Sequence, residues 1–138
     1  MAKIRAKGRL IENVRSIVDN TRTHSIVLDW SPGMGGGDTG PNPLELSIMS
    51  LVGCAITIFA DTAKNSKVEL TKLEVSAEAE KSPDSPKLTS VNLKVKVSGK
   101  ARKELLEALW RRTEANCPVF LVFQEPTPVK VELETTSE

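Results

Sequence analysis

The stretch Gly35–Cys54, GGGDTGPNPLELSIMSLVGC, decides the fold. A glycine-rich loop runs into Pro41-Asn42-Pro43 and then into an almost uncharged segment that ends on a cysteine. A helix is predicted from Pro43 to about Lys64. Proline is tolerated in the first turn, where its missing N–H has no partner anyway. Asn42 in front of it is a good N-cap, because its side-chain oxygen accepts from the orphan amides. Apolar residues cover nearly every face of this helix, which predicts burial on all sides, by the rest of the domain or by a partner subunit. The uncharged run from Leu46 to Ala60 is bracketed by Glu45 and Asp61, and its length of about 15 residues falls short of the ~20 that a bilayer requires. No Lys or Arg flanks it closely before Lys64. It reads as a core helix, with no membrane partner.

Upstream, three short extended runs are expected: Ile4–Leu10, Val14–Val18, and Ser25–Trp30 with Ile26, Leu28 and Trp30 on one face. Asn13 and Asn20-Thr21 are the turns between them. Downstream, Leu73, Val75, Ala77 and Ala79 alternate with polar residues. After Lys81–Pro86, Val91, Leu93, Val95 and Val97 do the same. That pattern predicts a long antiparallel hairpin with acidic and basic outer positions facing each other. Ala101–Asn116 reads as an amphipathic helix interrupted at Cys117-Pro118. Val119–Phe123 reads as a buried apolar run, and Val129, Val131 and Leu133 as a last strand. The order βββ-α-ββ-α-β lacks regular βαβ alternation, so the expected class is α+β in a single domain spanning residues 1–138.

Gly35, Gly37 and Gly40 satisfy G-x-G-x-x-G, and Asp61 lies about 20 residues on, where a ribose-binding acid would sit. The helix, however, starts only after Pro41-Asn42-Pro43, Asp61 lies late on that same helix, and no parallel βαβ unit surrounds the motif. No Gly-Lys-Ser/Thr follows, which removes the P-loop. The loop is read as turn geometry and close backbone approach beside a site.

The chain has 138 residues and a formal net charge of +1. No basic block interleaves with aromatics, so a nucleic-acid surface is not indicated. Lys3, Arg5, Lys7 and Arg9 alternate with Ile4, Ala6, Gly8 and Leu10, the pattern of the wet face of a half-buried strand. The N-terminus lacks the apolar core of a signal peptide, and the two cysteines lie far apart, so a reducing cytoplasm is expected.

A cysteine works through its thiolate, and at a free pKa of ~8.5 little is ionised at neutral pH. Cys54 is about three turns into its helix, beyond the reach of the N-terminal dipole, and needs a cation from elsewhere. Cys117, with Pro118 behind it, is placed to cap a short helical turn, so local chemistry ranks it the more acidic thiol. Either sulfur is also readable as a small buried hydrophobe. His24, the only histidine, has no spacing that makes a metal site with the cysteines, and nothing in the sequence sets it beside either sulfur.

Two blocks, HSIVLDWSPGMGGGDTGPNPLELSIMSLVGC and NCPVFLVFQEPTPVKVELE, resemble the OsmC/Ohr family of thiol-dependent hydroperoxide reductases over essentially the full length. The resemblance implies an intertwined homodimer whose long central helix is buried by both subunits. It implies Cys54 as the peroxidatic and Cys117 as the resolving cysteine. It further implies an organic hydroperoxide as substrate, an external dithiol, such as a lipoyl type, as reductant, and neither metal nor organic cofactor. The family's thiolate-holding arginine corresponds to Arg15, with Arg22 as rival. Its glutamate directly after the second proline is replaced by Leu44, and Glu45, one position later, is the remaining carboxylate candidate. That departure leaves a second expectation open: a non-catalytic relative that binds a small apolar ligand or acts as a redox sensor.

Overall fold

The computed structural model describes residues 2–137. The chain divides into two compact units, residues 1–50 and 51–138, with one helix running through the division. Alpha and beta elements are mixed, as the α+β class requires.

In the first unit, strands β1 (Lys7–Glu12), β2 (Arg15–Asp19) and β3 (Ser25–Leu28) form an antiparallel sheet in the order β1-β2-β3. The expected turn residues are there for a physical reason. Asn13 and Thr21 both adopt positive φ, 50° and 60°, and asparagine is among the residues that tolerate this region best. The Asn20 side-chain oxygen accepts from the N–H groups of Arg22 and His24, and Asp19 accepts from that of Thr21. β3 stops at Leu28 rather than Trp30, because Asp29 leaves the ladder to bind the loop that follows. β1 also differs from expectation. It begins at Lys7, and Ile4 and Leu10 are exposed (100% and 66%), so the alternation gives a strand with both faces open. A period of two marks a strand, but the apolar face is buried only where something packs against it.

Helix α1 (Pro43–Asn65) starts on a reciprocal cap: the Glu45 N–H donates to Asn42 Oδ1 (2.8 Å), and the Asn42 N–H donates to Glu45 Oε1 (3.0 Å). Two orphan donors are satisfied in one exchange.

In the second unit, the hairpin of β4 (Leu70–Lys81) and β5 (Leu88–Gly99) keeps the predicted register. Leu73 pairs with Val97, Val75 with Val95, Ala77 with Leu93 and Ala79 with Val91, so every apolar residue falls on one face. On the other face Glu74 lies opposite Lys96, a favourable cross-strand charge pair. Against the apolar face pack Leu51, Ala55, Phe59 and Ala63 of α1, one stripe at a spacing of four, and Leu109 of α2 (Lys103–Asn116). Trp110 joins the two ends of this core, its ring 5.7 Å from Phe59 and 6.1 Å, edge-on, from Phe120. The buried Thr113 hydroxyl donates to the Leu109 carbonyl (2.9 Å) and leaves no polar atom stranded.

Two expectations about the C-terminal part are corrected. Val119–Phe123 is not a uniformly buried run; it forms helix α3 (Pro118–Gln124), in which Phe120 is buried while Leu121, Val122 and Phe123 are exposed. Val129–Leu133 forms no strand, and its apolar residues are 82–86% exposed. Alternation alone does not make a strand: a strand also needs a neighbour to pair its N–H and C=O groups. α1 is, at 23 residues, long and apolar enough to cross a bilayer by length and composition. Its stripe from Leu51 to Ala63 is packed on the hairpin and α2, as a core helix packs.

Phe59 and Leu109 are the largest fully buried apolar side chains. Phe59→Ala or Leu109→Ala should each cost about 2–5 kcal/mol, read as a lower urea midpoint with an unchanged m-value.

Candidate active site

The two cysteines, far apart in sequence, meet in the core of the second unit. Cys54 is half-buried on α1; Cys117 is fully buried at the junction of α2 and α3, ending one helix and starting the next. They share one apolar cluster with Leu51, Ala55 and Phe120, walled by Val91, Leu93 and Trp110. Both cysteines are free thiols, packed against the same buried cluster.

Burial pushes the Cys117 thiol above its ordinary pKa, and the neighbouring Cys54 thiol pushes it the same way. The amides of Phe120 and Val119 pull in the opposite direction and do not offset this. The helix-start argument from sequence therefore fails for Cys117, whose pKa is raised rather than lowered. α3 has only seven residues, and Cys117 makes no side-chain cap bond to it. Desolvation of the anion wins over two weakly placed amides. Cys117 therefore holds its proton more tightly than an ordinary thiol.

Beside the same cluster lies a groove of about 960 Å³ between β5, α2 and α3. Val95, Leu106, Trp110 and Phe120 contribute an apolar lining, and charges of both signs, among them Lys96, Arg111, Glu107 and Glu114, stand on its walls. Leu51, Val91 and Leu93 belong both to the groove and to the cysteine cluster.

The first unit holds the arginine candidate. Arg15, the first residue of β2, donates from Nε to Asp29 Oδ2 (3.2 Å) and from Nη1 to Glu12 Oε1 (3.0 Å). Asp29 was not foreseen as part of any site. Its side chain is 1% exposed and also accepts from the N–H groups of Trp30, Gly37 and Thr39 and from the Thr39 hydroxyl. That hydroxyl is the largest cause holding the Asp29 carboxyl far below the usual carboxylate range. Burial opposes the shift, and the Trp30 and Thr39 amides and Arg15 add to it. The signal in the sequence was a lone acid between Leu28 and Trp30, followed by Asp38-Thr39 inside the glycine loop, but an alternating strand makes such an acid look solvated.

The glycine motif is explained by this berth rather than by a nucleotide. Gly35 takes φ +95° after the single 3₁₀ turn Pro32–Met34, a conformation in which glycine carries no steric penalty. At Gly37 a Cβ would lie 2.6 Å from Arg15 Nη2, so the guanidinium takes this position against bare backbone. The Asn13 side chain ties the β1–β2 turn to the loop by donating to the Gly35 carbonyl (2.7 Å). Arg22, the rival arginine, lies in the β2–β3 turn with its N–H bound to Asn20 Oδ1 (3.0 Å). Glu45 is engaged in the helix cap, and Leu44 before it is 38% exposed. His24 pairs its Nδ1 with the Asn20 amide (3.0 Å). Among the described residues, no three His, Cys, Asp or Glu side chains are grouped to hold a metal ion.

A carboxylate whose pKa is depressed by folding adds stability that is complete above its unfolded value (~3.9) and is lost as pH falls toward the folded value. Asp29 should therefore steepen the acid limb of the stability curve below about pH 4. Asp29→Asn should lower stability at neutral pH and flatten that limb, measured by urea unfolding from about pH 2.5 to 7.

Comparison with known proteins gives a consistent picture. The family model described as OsmC-like protein matches residues 35–132. No curated protein sequence matches the chain. Among solved structures, an OsmC-like protein from Mycoplasma pneumoniae superposes with a TM-score of 0.79 at 17% identity, over 91% of this chain and 89% of that one. An organic hydroperoxide resistance protein OsmC from Legionella pneumophila gives 0.68 at 20% identity, over 91% of each chain. An organic hydroperoxide resistance protein from Elizabethkingia anophelis, with thiocyanate bound, gives 0.63 at 16% identity, again over 91% of each. At these identities the likeness is one of fold.

Proposed function

The chain belongs to the OsmC-like family, and on that premise we propose that it reduces organic hydroperoxides through Cys54 and Cys117. The observation that carries this reading is that two free thiols, far apart in sequence, are packed into one apolar cluster. Buried structural cysteines have no need of each other; a peroxidatic and a resolving cysteine do.

The Cys54 thiolate attacks the terminal oxygen of ROOH. The O–O bond breaks, the alkoxide leaves and takes up a proton as alcohol, and Cys54 becomes a sulfenic acid. Cys117 then attacks the Cys54 sulfur, gives up its proton, and expels water as the disulfide forms. An external dithiol returns two electrons by thiol–disulfide exchange. The raised pKa of Cys117 suits the second role. A protonated, buried thiol does not compete for peroxide and becomes useful only once a sulfenic acid stands beside it. Arg15 is the cation we assign to the Cys54 thiolate; Glu45 is left to the helix cap. The apolar walls around the two thiols favour an alkyl hydroperoxide over hydrogen peroxide.

The working form we propose is a cytoplasmic homodimer. The exposed apolar residues Ile4, Met49, Val122, Val129, Val131 and Leu133 support it, because soluble proteins rarely leave so much apolar surface in water. A second subunit would also supply the ladder partner that the alternating Val129–Leu133 segment lacks.

A second reading, a ligand-binding or redox-sensing dimer without turnover, is favoured by one observation: Leu44 stands where related enzymes carry a carboxylate, and Glu45 is occupied elsewhere.

Intact-mass analysis of the reduced protein titrated with cumene hydroperoxide separates the two. One intramolecular disulfide per chain should form in the wild type. Cys117→Ser should stall at a Cys54 oxyacid, and Cys54→Ser should stay unreacted. Thiols that oxidise no faster than free cysteine would leave only the second reading.

A further inference from the structure

Among the described residues the β4–β5 hairpin is a sheet of only two strands, so each strand has one edge without a ladder partner. Such an edge presents a row of N–H and C=O groups that pair readily with a further strand. Between β5, α2 and α3 lies the groove of about 960 Å³, lined along β5 by Val91, Leu93, Val95 and Val97. The apolar face of the hairpin is thus wider than its own unit covers. One segment of the same unit has the opposite deficit. Val129, Val131 and Leu133 alternate with Lys130, Glu132 and Glu134, and they stand exposed with no partner strand.

Charge decides which edge suits this segment. On the polar face of the hairpin, β4 carries Glu74, Glu78 and Glu80 against a single Lys72, whereas β5 carries Lys94 and Lys96. Glu132 and Glu134 are repelled by the first row and matched by the second. Side chains repeat with a period of two along a strand. A pairing that sets Glu132 and Glu134 beside Lys94 and Lys96 therefore turns Val131 and Leu133 to the side of Val95 and Val97, where the groove lies. The segment follows α3 through Glu125-Pro126-Thr127-Pro128. Two prolines in that link hold it extended, and in the folded chain the segment does not pair with its own β5. We infer that the free edge of β5 is the docking site for residues 129–134 of a second copy of this chain, whose Val129, Val131 and Leu133 fill the groove; the homodimer proposed above is the premise.

The experiment is zero-length carbodiimide cross-linking of the full wild-type chain, with unlabelled and isotope-labelled protein unfolded in urea and refolded together. Mass spectrometry should find amide links from Glu132 or Glu134 to Lys94 or Lys96 in peptide pairs that carry one labelled and one unlabelled partner. Hydrogen exchange over residues 129–133 should be slow in the dimer. The double variant Glu132→Lys with Glu134→Lys should speed it about tenfold at low salt, because two attractions become repulsions. Links found only within one chain, or only to lysines outside β5, would overturn the inference and leave the dimer standing. So would exchange over 129–133 at the rate of a free coil in a dimeric wild type, or an unchanged rate in the double variant. A wild type that sediments as a monomer would overturn the dimer reading and the inference with it.

Discussion

A helix of 23 residues with apolar side chains on nearly every face has to hide more surface than one neighbour can cover, and the rest of the structure is arranged around that demand. The stripe Leu51, Ala55, Phe59 and Ala63 is met by the apolar face of the β4–β5 hairpin and by Leu109. The hairpin is long and strictly alternating because it has to present one continuous apolar face to that stripe. Trp110 closes the contact at both ends by touching Phe59 and Phe120. Residues such as Met49 and Ile56 on the same helix stay exposed within the chain. They are the physical argument for a second subunit.

The same packing fixes the thiols. Cys54 is half-buried beside the stripe, and Cys117 is pinned where α2 gives way to α3, so that two sulfurs far apart in sequence share one dry cluster. In such a place the free energy of an anion is set by desolvation more than by a pair of nearby amides. A buried thiol that keeps its proton is inert toward peroxide and available to a sulfenic acid. The core that stabilises the unit thus also divides the labour between the cysteines in the proposed cycle.

In the first unit the organising group is a charge rather than an apolar face. The Asp29 carboxylate gathers the glycine loop, the Thr39 hydroxyl and Arg15 around two oxygens. A buried carboxylate is tolerable only when fully satisfied, and here that satisfaction pins an arginine as well. Gly37 leaves room for the guanidinium, while Gly36 and Gly40 lie where a Cβ would run into the backbone carbonyls of Trp30 and Val27.

Much of the fold was written in local spacing. The hairpin register, α1 with Asn42 at its start, and the turns at Asn13 and Asn20-Thr21 all follow from periods and cap residues that act within a few positions, which is why they could be read directly. Val129–Leu133 was misread because alternation reports a strand's faces and says nothing of its partner. Asp29 was missed because a lone acid on a strand looks solvated until a loop ten residues away folds back onto it. The sequence by itself determined the α+β class, the two thiols and the candidate arginines, since these depend on residue identity and short-range order. Tertiary structure alone decided that the sulfurs share one cluster, that burial raises the pKa of Cys117, and that Arg15 rather than Arg22 is bound to a buried carboxylate. Burial and hydrogen bonding are properties of the folded neighbourhood, and no neighbourhood exists until distant segments have packed.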